Sequence, residues 1–407
     1  MRLPCLSPEI PCSHRAHLLG CYALNHYQHL LSMKRPFIST VCIILFGAAV
    51  FTLIPAFFHA DTTDEAAGKD RPAKREVGAT RSYDRFANRE YSVNYLTKKG
   101  IDMNDMEGEL IRQLQAGQLE TAAALVGAGA RLNRGNAQSF SDPLPFLQAT
   151  IFGNAELLKL MVSKGADARC KIIHRAGQEG LTAQYAAVIK DNLDTLRYLD
   201  SIGLSCKTKD ASTSLLAHAA MFGAYNCFMY IIDHGGDPHE TYPDGANLMH
   251  RAAVGGNLKI IQYLESQGTS IRESHKKGAP NMLLLAAVNK RHAAVQYFLE
   301  KGADPFLDTG NGYPPIDLIV SMANTETLQK LEQLGVDFKD SSKQGTNYLE
   351  TAAMADNPEA VRYLISKGLR VNNLNRISIG SYDERNFIED EQKTRSMREL
   401  IKTLQSD

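Results

Sequence analysis

The sequence predicts an all-α solenoid of about eight helix-turn-helix units with capping elements, and three observations carry that prediction. A helical phrase returns nearly unchanged: AAVIKDNLDTLRYLDSIG from Ala186 to Gly203, AAVGGNLKIIQYLESQG from Ala252 to Gly268, and AAVNKRHAAVQYFLEKG from Ala286 to Gly302. Closing glycines stand at Gly129, Gly165, Gly203, Gly235, Gly268, Gly302, Gly335 and Gly368, with intervals of 36, 38, 32, 33, 34, 33 and 33 residues. Twelve residues before each lies a turn position: Gly117, Gly153, Asp191, Gly223, Gly256, Lys290, Ala323 and Asp356. A fixed period in this range means stacked units, not a single compact core.

One unit can be read residue by residue. After the turn, apolar residues fall at helical spacing, as in Leu258, Ile261 and Leu264 ahead of Gly268. The glycine ends that helix because it enters the left-handed region without a Cβ clash. Before the turn, small doublets recur (Ala219-Ala220, Ala252-Ala253, Ala286-Ala287, Ala352-Ala353), and they allow a neighbouring helix to come close. A helical pair of this size cannot bury both faces alone, so neighbours must stack. The shared apolar letters are the stacking code, and the polar letters are free to differ. Eight units follow, at roughly 107–138, 139–175, 176–208, 209–240, 241–273, 274–307, 308–340 and 341–373, behind a partial one ending at Gly100.

The phrases LEKGADP (299–305), VSKGADA (162–168) and NLMHRAAVGGN (247–257) resemble ankyrin repeats. That family's pattern is a Thr-Pro-Leu-His opening, an Ala-Ala doublet, a Gly turn and a Gly-Ala-Asp close. The resemblance implies a protein-binding scaffold working through a concave face. The opening is eroded here: only His250 holds the His position, where other units have Gln184 or Tyr185, Ala217, Leu284, Asp317 and Glu350. In the family this Thr and His tie adjacent loops. Their loss implies looser hairpins, or replacement by other side-chain bonds. Unit seven departs furthest, with Pro314-Pro315 at its helix start and Ile319-Val320 at the doublet.

Composition narrows the function classes. With 45 basic and 45 acidic residues the net charge is zero, which argues against a nucleic-acid surface. No Walker loop, G-x-S-x-G, H-E-x-x-H or Gly-rich dinucleotide fingerprint occurs. The expectation is a non-catalytic module with no cofactor and no metal. Cys5, Cys12, Cys21, His14, His17, His26 and His29 crowd the first stretch but lack C-x-x-C spacing. Tyr95, Tyr198, Tyr230, Tyr263, Tyr297 and Tyr363 all lie five residues before a closing glycine. Such regular spacing reads as rings packed along the second helix with hydroxyls in water, in preference to a ligand-stacking ladder.

The domain layout reads as follows. Residues 1–32 form a spurious or disordered extension, since Met33-Lys34-Arg35 makes a better start than Met1. Residues 33–60 are a signal peptide or signal anchor: 37–58 is an uncharged, mostly apolar run directly after Lys34-Arg35. The positive flank stays inside, placing the repeats in the periplasm, free or anchored to the inner membrane, or secreted. Residues 61–79 are a polar, disordered tether. Residues 80–106 are an N-terminal capping partial repeat, 107–373 the solenoid and 374–407 a C-terminal capping helix. Cys170, Cys206 and Cys227 read as free thiols, because stacked units hold Cys170 and Cys206 beyond disulfide reach unless a loop bends.

The candidate partner-binding residues are the pairs just before the turns of units two to four, positions that face the concave side in the family. They are Ile151-Phe152, Ile189-Lys190 and Met221-Phe222, against milder pairs such as Gln115-Ala116 and Val288-Asn289. The 38-residue interval adds an insertion beside them, with Lys171, Ile172, Ile173, His174 and Arg175. Insertions in solenoids map to loops, often on the binding face, and a few desolvated anchors carry most binding energy. The competing reading is that Phe152 and Phe222 pack against the next helix and the insertion is slack. The partner expected is one protein, bound by a monomeric solenoid that meets the membrane only through an uncleaved 37–58. An immunity protein against a periplasmic toxin and a secreted host-targeting effector are the two specific versions.

Overall fold

Each repeat is fixed by where its backbone leaves the right-handed region. All eight closing glycines have positive φ, from 83° at Gly203 to 107° at Gly129, and the partial unit ends likewise at Gly100 (67°). At the turns, Gly117, Gly223 and Gly256 are joined by three non-glycine residues in the same region: Asp191 (49°), Lys290 (54°) and Asp356 (56°). Gly153 differs, with extended backbone (φ −92°, ψ −153°). Glycine is still required there, because a Cβ would lie 2.4 Å from the Ala149 carbonyl oxygen.

The computed structural model describes residues 82–133, 144–171, 181–207, 213–242, 245–271, 281–307, 315–339, 347–379 and 387–406. The segments read as 1–32, 33–60 and 61–79 lie outside the described residues, as do Ile172, Ile173, His174 and Arg175. A 3₁₀ turn (Asp84–Ala87) and α1 (Arg89–Lys99) come first. The first helices of the eight units are α2 (Met106–Gln115), α4 (Pro145–Phe152), α6 (Ala183–Ile189), α8 (Leu215–Phe222), α10 (Leu248–Gly255), α12 (Met282–Val288), α14 (Pro315–Met322) and α16 (Tyr348–Met354). Their partners are α3 (Leu119–Ala128), α5 (Ala155–Ser163), α7 (Leu193–Ser201), α9 (Tyr225–Asp233), α11 (Leu258–Ser266), α13 (His292–Glu300), α15 (Thr325–Gln333) and α17 (Pro358–Ser366). A longer helix, α18 (Phe387–Ser406), ends the series. Among the described residues there is no strand, and Thr241 and Asn247 form an isolated bridge.

The helices stack in two rows. First helices run closely alongside one another through the alanine doublets, each 0–1% exposed, whereas second helices meet at fewer points. In the family the sequence resembles, the row carrying the small side chains faces the concave side, and this first-helix row is termed the inner face. Between the rows runs one continuous core that includes Phe86, Phe146, Phe228 and Phe298, all fully buried. At the C-terminal end, α18 lies on α17 with Met397 and Ile401 buried. Thr394 and Arg398 of that helix bond the backbone of Ile379 and Ile377.

Polar side chains replace the eroded opening motif. Ser214, Asn247, Asn281 and Asn347 cap the first helices, each accepting from an amide two or three residues on. His250 completes a capping box with Asn247 and is itself buried. Such caps satisfy amides that the helix leaves orphaned. The second helices use Asn154, Asn192, Asn257, Asn324 and Asn357 in the same way. Side-chain bonds thus occupy helix starts where the opening motif is missing. In unit seven, Pro315 sits at the first position of α14, where no amide is needed.

The tyrosines pack along the second-helix row as expected, but four of their hydroxyls bond carboxylates, with Tyr95 donating to Glu120 at 3.5 Å. Tyr230, Tyr297 and Tyr363 donate to Asp200, Glu265 and Glu332 of the preceding unit. The acids were invisible as partners because they lie 30 to 32 residues away in sequence.

Candidate protein-binding face

The inner face of units two to four is built by the C-terminal ends of α4, α6 and α8. Ile151 and Phe152 are the last residues of α4, Ile189 the last of α6, and Met221 and Phe222 the last of α8. Because α4, α6 and α8 are consecutive members of one row, these side chains form a shared band. Lys190 is the cap residue beyond α6, so it belongs to the turn.

None of the apolar members stands fully exposed. Ile151, Phe152, Ile189, Met221 and Phe222 are half-buried. Phe222 meets the Tyr185 ring edge-on, with centroids 5.7 Å apart. His218, also on α8, meets the same ring at 4.3 Å. A side chain held by a neighbouring ring yet only half-buried keeps some surface a partner could cover. Phe222 thus packs on a neighbouring ring while part of its surface stays exposed.

Tyr185 and His218 were missed in the sequence. They lie one residue before the alanine doublets of units three and four, a position the first-helix offset brings beside Phe222. His218 Nδ1 lies 3.0 Å from the Ser214 carbonyl oxygen. A carbonyl can only accept, so Nδ1 carries the proton and Nε2 is the ring's remaining acceptor when the imidazole is neutral. Lys190 reaches solvent, while burial of its surroundings lowers its pKa below the usual lysine range. Lys171 is half-buried at the start of the insertion.

The remaining chemistry is quiet. Cys170, Cys206 and Cys227 are buried free thiols. Burial pushes Cys170 up to about 12 and also raises Cys206 and Cys227, which keeps all three protonated and poorly nucleophilic at neutral pH. Among the described residues no cluster of three His, Cys, Asp or Glu side chains is placed to hold a metal, and no helix is long and apolar enough to cross a membrane.

Comparison with known proteins fits this geometry. Residues 216–265 match the family described as "Ankyrin repeats (many copies)", and residues 283–375 match "Ankyrin repeats (3 copies)". The chain is 27% identical over 164 residues to "Transient receptor potential cation channel subfamily A member 1 homolog" of Caenorhabditis elegans, covering 40% of this chain and 13% of that protein. It is 26% identical over 153 residues to "L-asparaginase" of Dirofilaria immitis, covering 38% of this chain and 26% of that protein. Both matches therefore span a minor part of those proteins. Among solved structures, the ankyrin repeat domain of human ASB11 superposes with a TM-score of 0.40 at 15% identity, over 55% of this chain and 96% of that one.

Proposed function

The chain belongs to the ankyrin-repeat family, and from that premise we propose that it is a non-catalytic module that binds a partner protein through the inner face of units two to four. The observation that carries this reading is the half-buried apolar band of Ile151, Phe152, Ile189, Met221 and Phe222, braced by Tyr185 and His218. Rings already held by their neighbours lose little conformational freedom on binding, so their exposed part contributes at low entropic cost. Comparative capture from native extract tests it. Wild type retains a partner that Phe152→Asp with Phe222→Asp loses, while both proteins melt within about two degrees of each other. A shared partner list, or a melting temperature lowered by many degrees, overturns the anchor role.

The second part of the proposal is location. The apolar run 37–58 behind Lys34-Arg35 supports export across the inner membrane, with the repeats on the far side, free or tethered. Residues 33–80 fused ahead of alkaline phosphatase give an active enzyme in a Gram-negative host if this is right. An inactive fusion overturns it.

A further inference from the structure

The outer row carries a pattern with twice the period of the repeat. Three residues before the closing glycine, units three, five and seven have Asp200, Glu265 and Glu332, whereas units four, six and eight have Ile232, Leu299 and Ile365. The complementary groups sit in the even units. Tyr230 Oη donates to Asp200 at 2.9 Å, Tyr297 Oη to Glu265, and Tyr363 Oη to Glu332 at 2.6 Å. One residue before the glycine, Lys301 and Lys367 bind the same carboxylates at 2.8 and 2.7 Å. Each lies over its own tyrosine ring, at 5.2 and 5.1 Å. His234 takes this position in unit four, stacked 4.0 Å from Tyr230. Units three, five and seven have Ile202, Gln267 and Leu334 there. Acid and tyrosine therefore form a strap across joints 3/4, 5/6 and 7/8, with a lysine bound to the same carboxylate at 5/6 and 7/8.

Joints 4/5 and 6/7 lack the matching residues. Tyr263 faces a unit whose acid position is Ile232, and unit seven has Lys330 in place of the tyrosine. Among the described residues the side-chain hydrogen bonds across these joints lie toward the turn end of the second helices, and at 4/5 the Tyr263 ring meets Phe228 edge-on, with centroids 5.8 Å apart, without an outer hydrogen bond of the strap kind. Asn257 Nδ2 donates to the Gly223 carbonyl oxygen at 2.8 Å, and Gln296 Nε2 to Thr327 Oγ1 at 3.2 Å. The strapped joints have turn-end ties as well at 3/4, 5/6 and 7/8: Asp191 caps the amides of Asn226 and Cys227, Arg291 donates to Val254, and Asn357 to Ala323. Two attachments at opposite ends of a helix fix its angle to its neighbour. Hydrogen bonds at one end, with only ring contacts beyond them, leave the helix freer to pivot.

We propose that units three to eight move as three two-repeat blocks, 3–4, 5–6 and 7–8, stiff across each strap and hinged at joints 4/5 and 6/7. The pivot at 4/5 has its inner contact at Gly255, where a Cβ would fall 2.3 Å from the Ala220 carbonyl oxygen and 3.1 Å from that of Met221. Swinging about this contact opens the outer row and re-aims Met221 and Phe222 relative to α10. The superhelical pitch of the groove then adapts to its occupant at two joints only.

Equivalent exposed positions two residues before the closing glycine allow a direct test: Asp233, Ser266 and Glu300. Nitroxide pairs at 233/266 and 266/300, introduced on full-length protein through ketone-bearing side chains so that native cysteines stay untouched, report inter-unit distance distributions by EPR. The distribution across 4/5 is broader than that across 5/6. Ile232→Glu with Gln267→Lys, which supplies Tyr263 with the two missing groups, abolishes the difference by narrowing 4/5. Glu265→Gln with Tyr297→Phe broadens 5/6 and keeps the question open to refutation if the first variant does not fold. Equal widths in the wild type, or widths unmoved by these variants, overturn the proposal.

Discussion

Between neighbouring first helices the contact is alanine on alanine; between neighbouring second helices it is a tyrosine hydroxyl on a carboxylate. The inner contact is present at nearly every joint, because a methyl group excludes nothing but bulk and needs no matched partner. The outer contact requires matched residue types on two units, so it can be written into one joint and omitted from the next. An apolar row thus sets the fold, and a polar row can differentiate its joints without disturbing it. The same division explains why the candidate face lies on the inner row: its small residues are spent on stacking, and only the positions just before the turn are left to vary.

The largest effect expected from breaking this comparison is at Gly255. In an ordinary helix interior, Gly→Ala stabilises by about 1 kcal/mol. Here the added methyl meets the Ala220 carbonyl and the Gly223 amide, at 2.3 and 2.9 Å, and both belong to the backbone and cannot step aside. Gly255→Ala therefore destabilises by about 1–3 kcal/mol, the usual cost of overpacking, read from urea midpoints at unchanged slope. A stabilised variant would show that the inner contact at 4/5 yields, and with it the pivot.

How much of this was legible in the sequence follows the range of each interaction. The unit boundaries were legible because Gly129 through Gly368 repeat a backbone requirement that only a few residue types meet. The inner row was legible because Ala252-Ala253 and its counterparts record closeness as side-chain size. Asn247, Asn281 and Asn347 were not read as substitutes for the lost opening motif, although an Asn ahead of an apolar run is a capping signal. The straps were hidden for a different reason. Tyr363 and Glu332 are 31 residues apart, and their meeting depends on the axial register of two stacked units. The candidate face was half legible: Phe222 stood out as large and apolar, but its brace, Tyr185, belongs to the unit before.

The smallest expected effect lies at the outer strap of units seven and eight, and its pH dependence identifies it. Hydrogen bonds from Lys367 and then Tyr363 hold Glu332 below the usual carboxylate range. Tyr363 is raised, first by burial and then by its bond to Glu332, so it remains a donor at neutral pH. Lys367 is raised, mainly by its bond to Glu332. A carboxylate with a lowered folded pKa stabilises above its unfolded value, about 4.3 for glutamate, and that contribution fades as pH falls through the folded value. The strap is partly solvated, so Tyr363→Phe costs only about 1 kcal/mol at pH 7. Glu332→Gln costs a similar amount there. On acidification toward pH 3 the wild type loses its advantage over Glu332→Gln, because its own carboxylate becomes protonated, and the two urea midpoints converge. Gly255→Ala, acting through the apolar row, keeps its deficit across the same range. If the Glu332→Gln deficit is also independent of pH, the outer contact is packing by a tyrosine ring and the charge on Glu332 contributes nothing to joining units seven and eight.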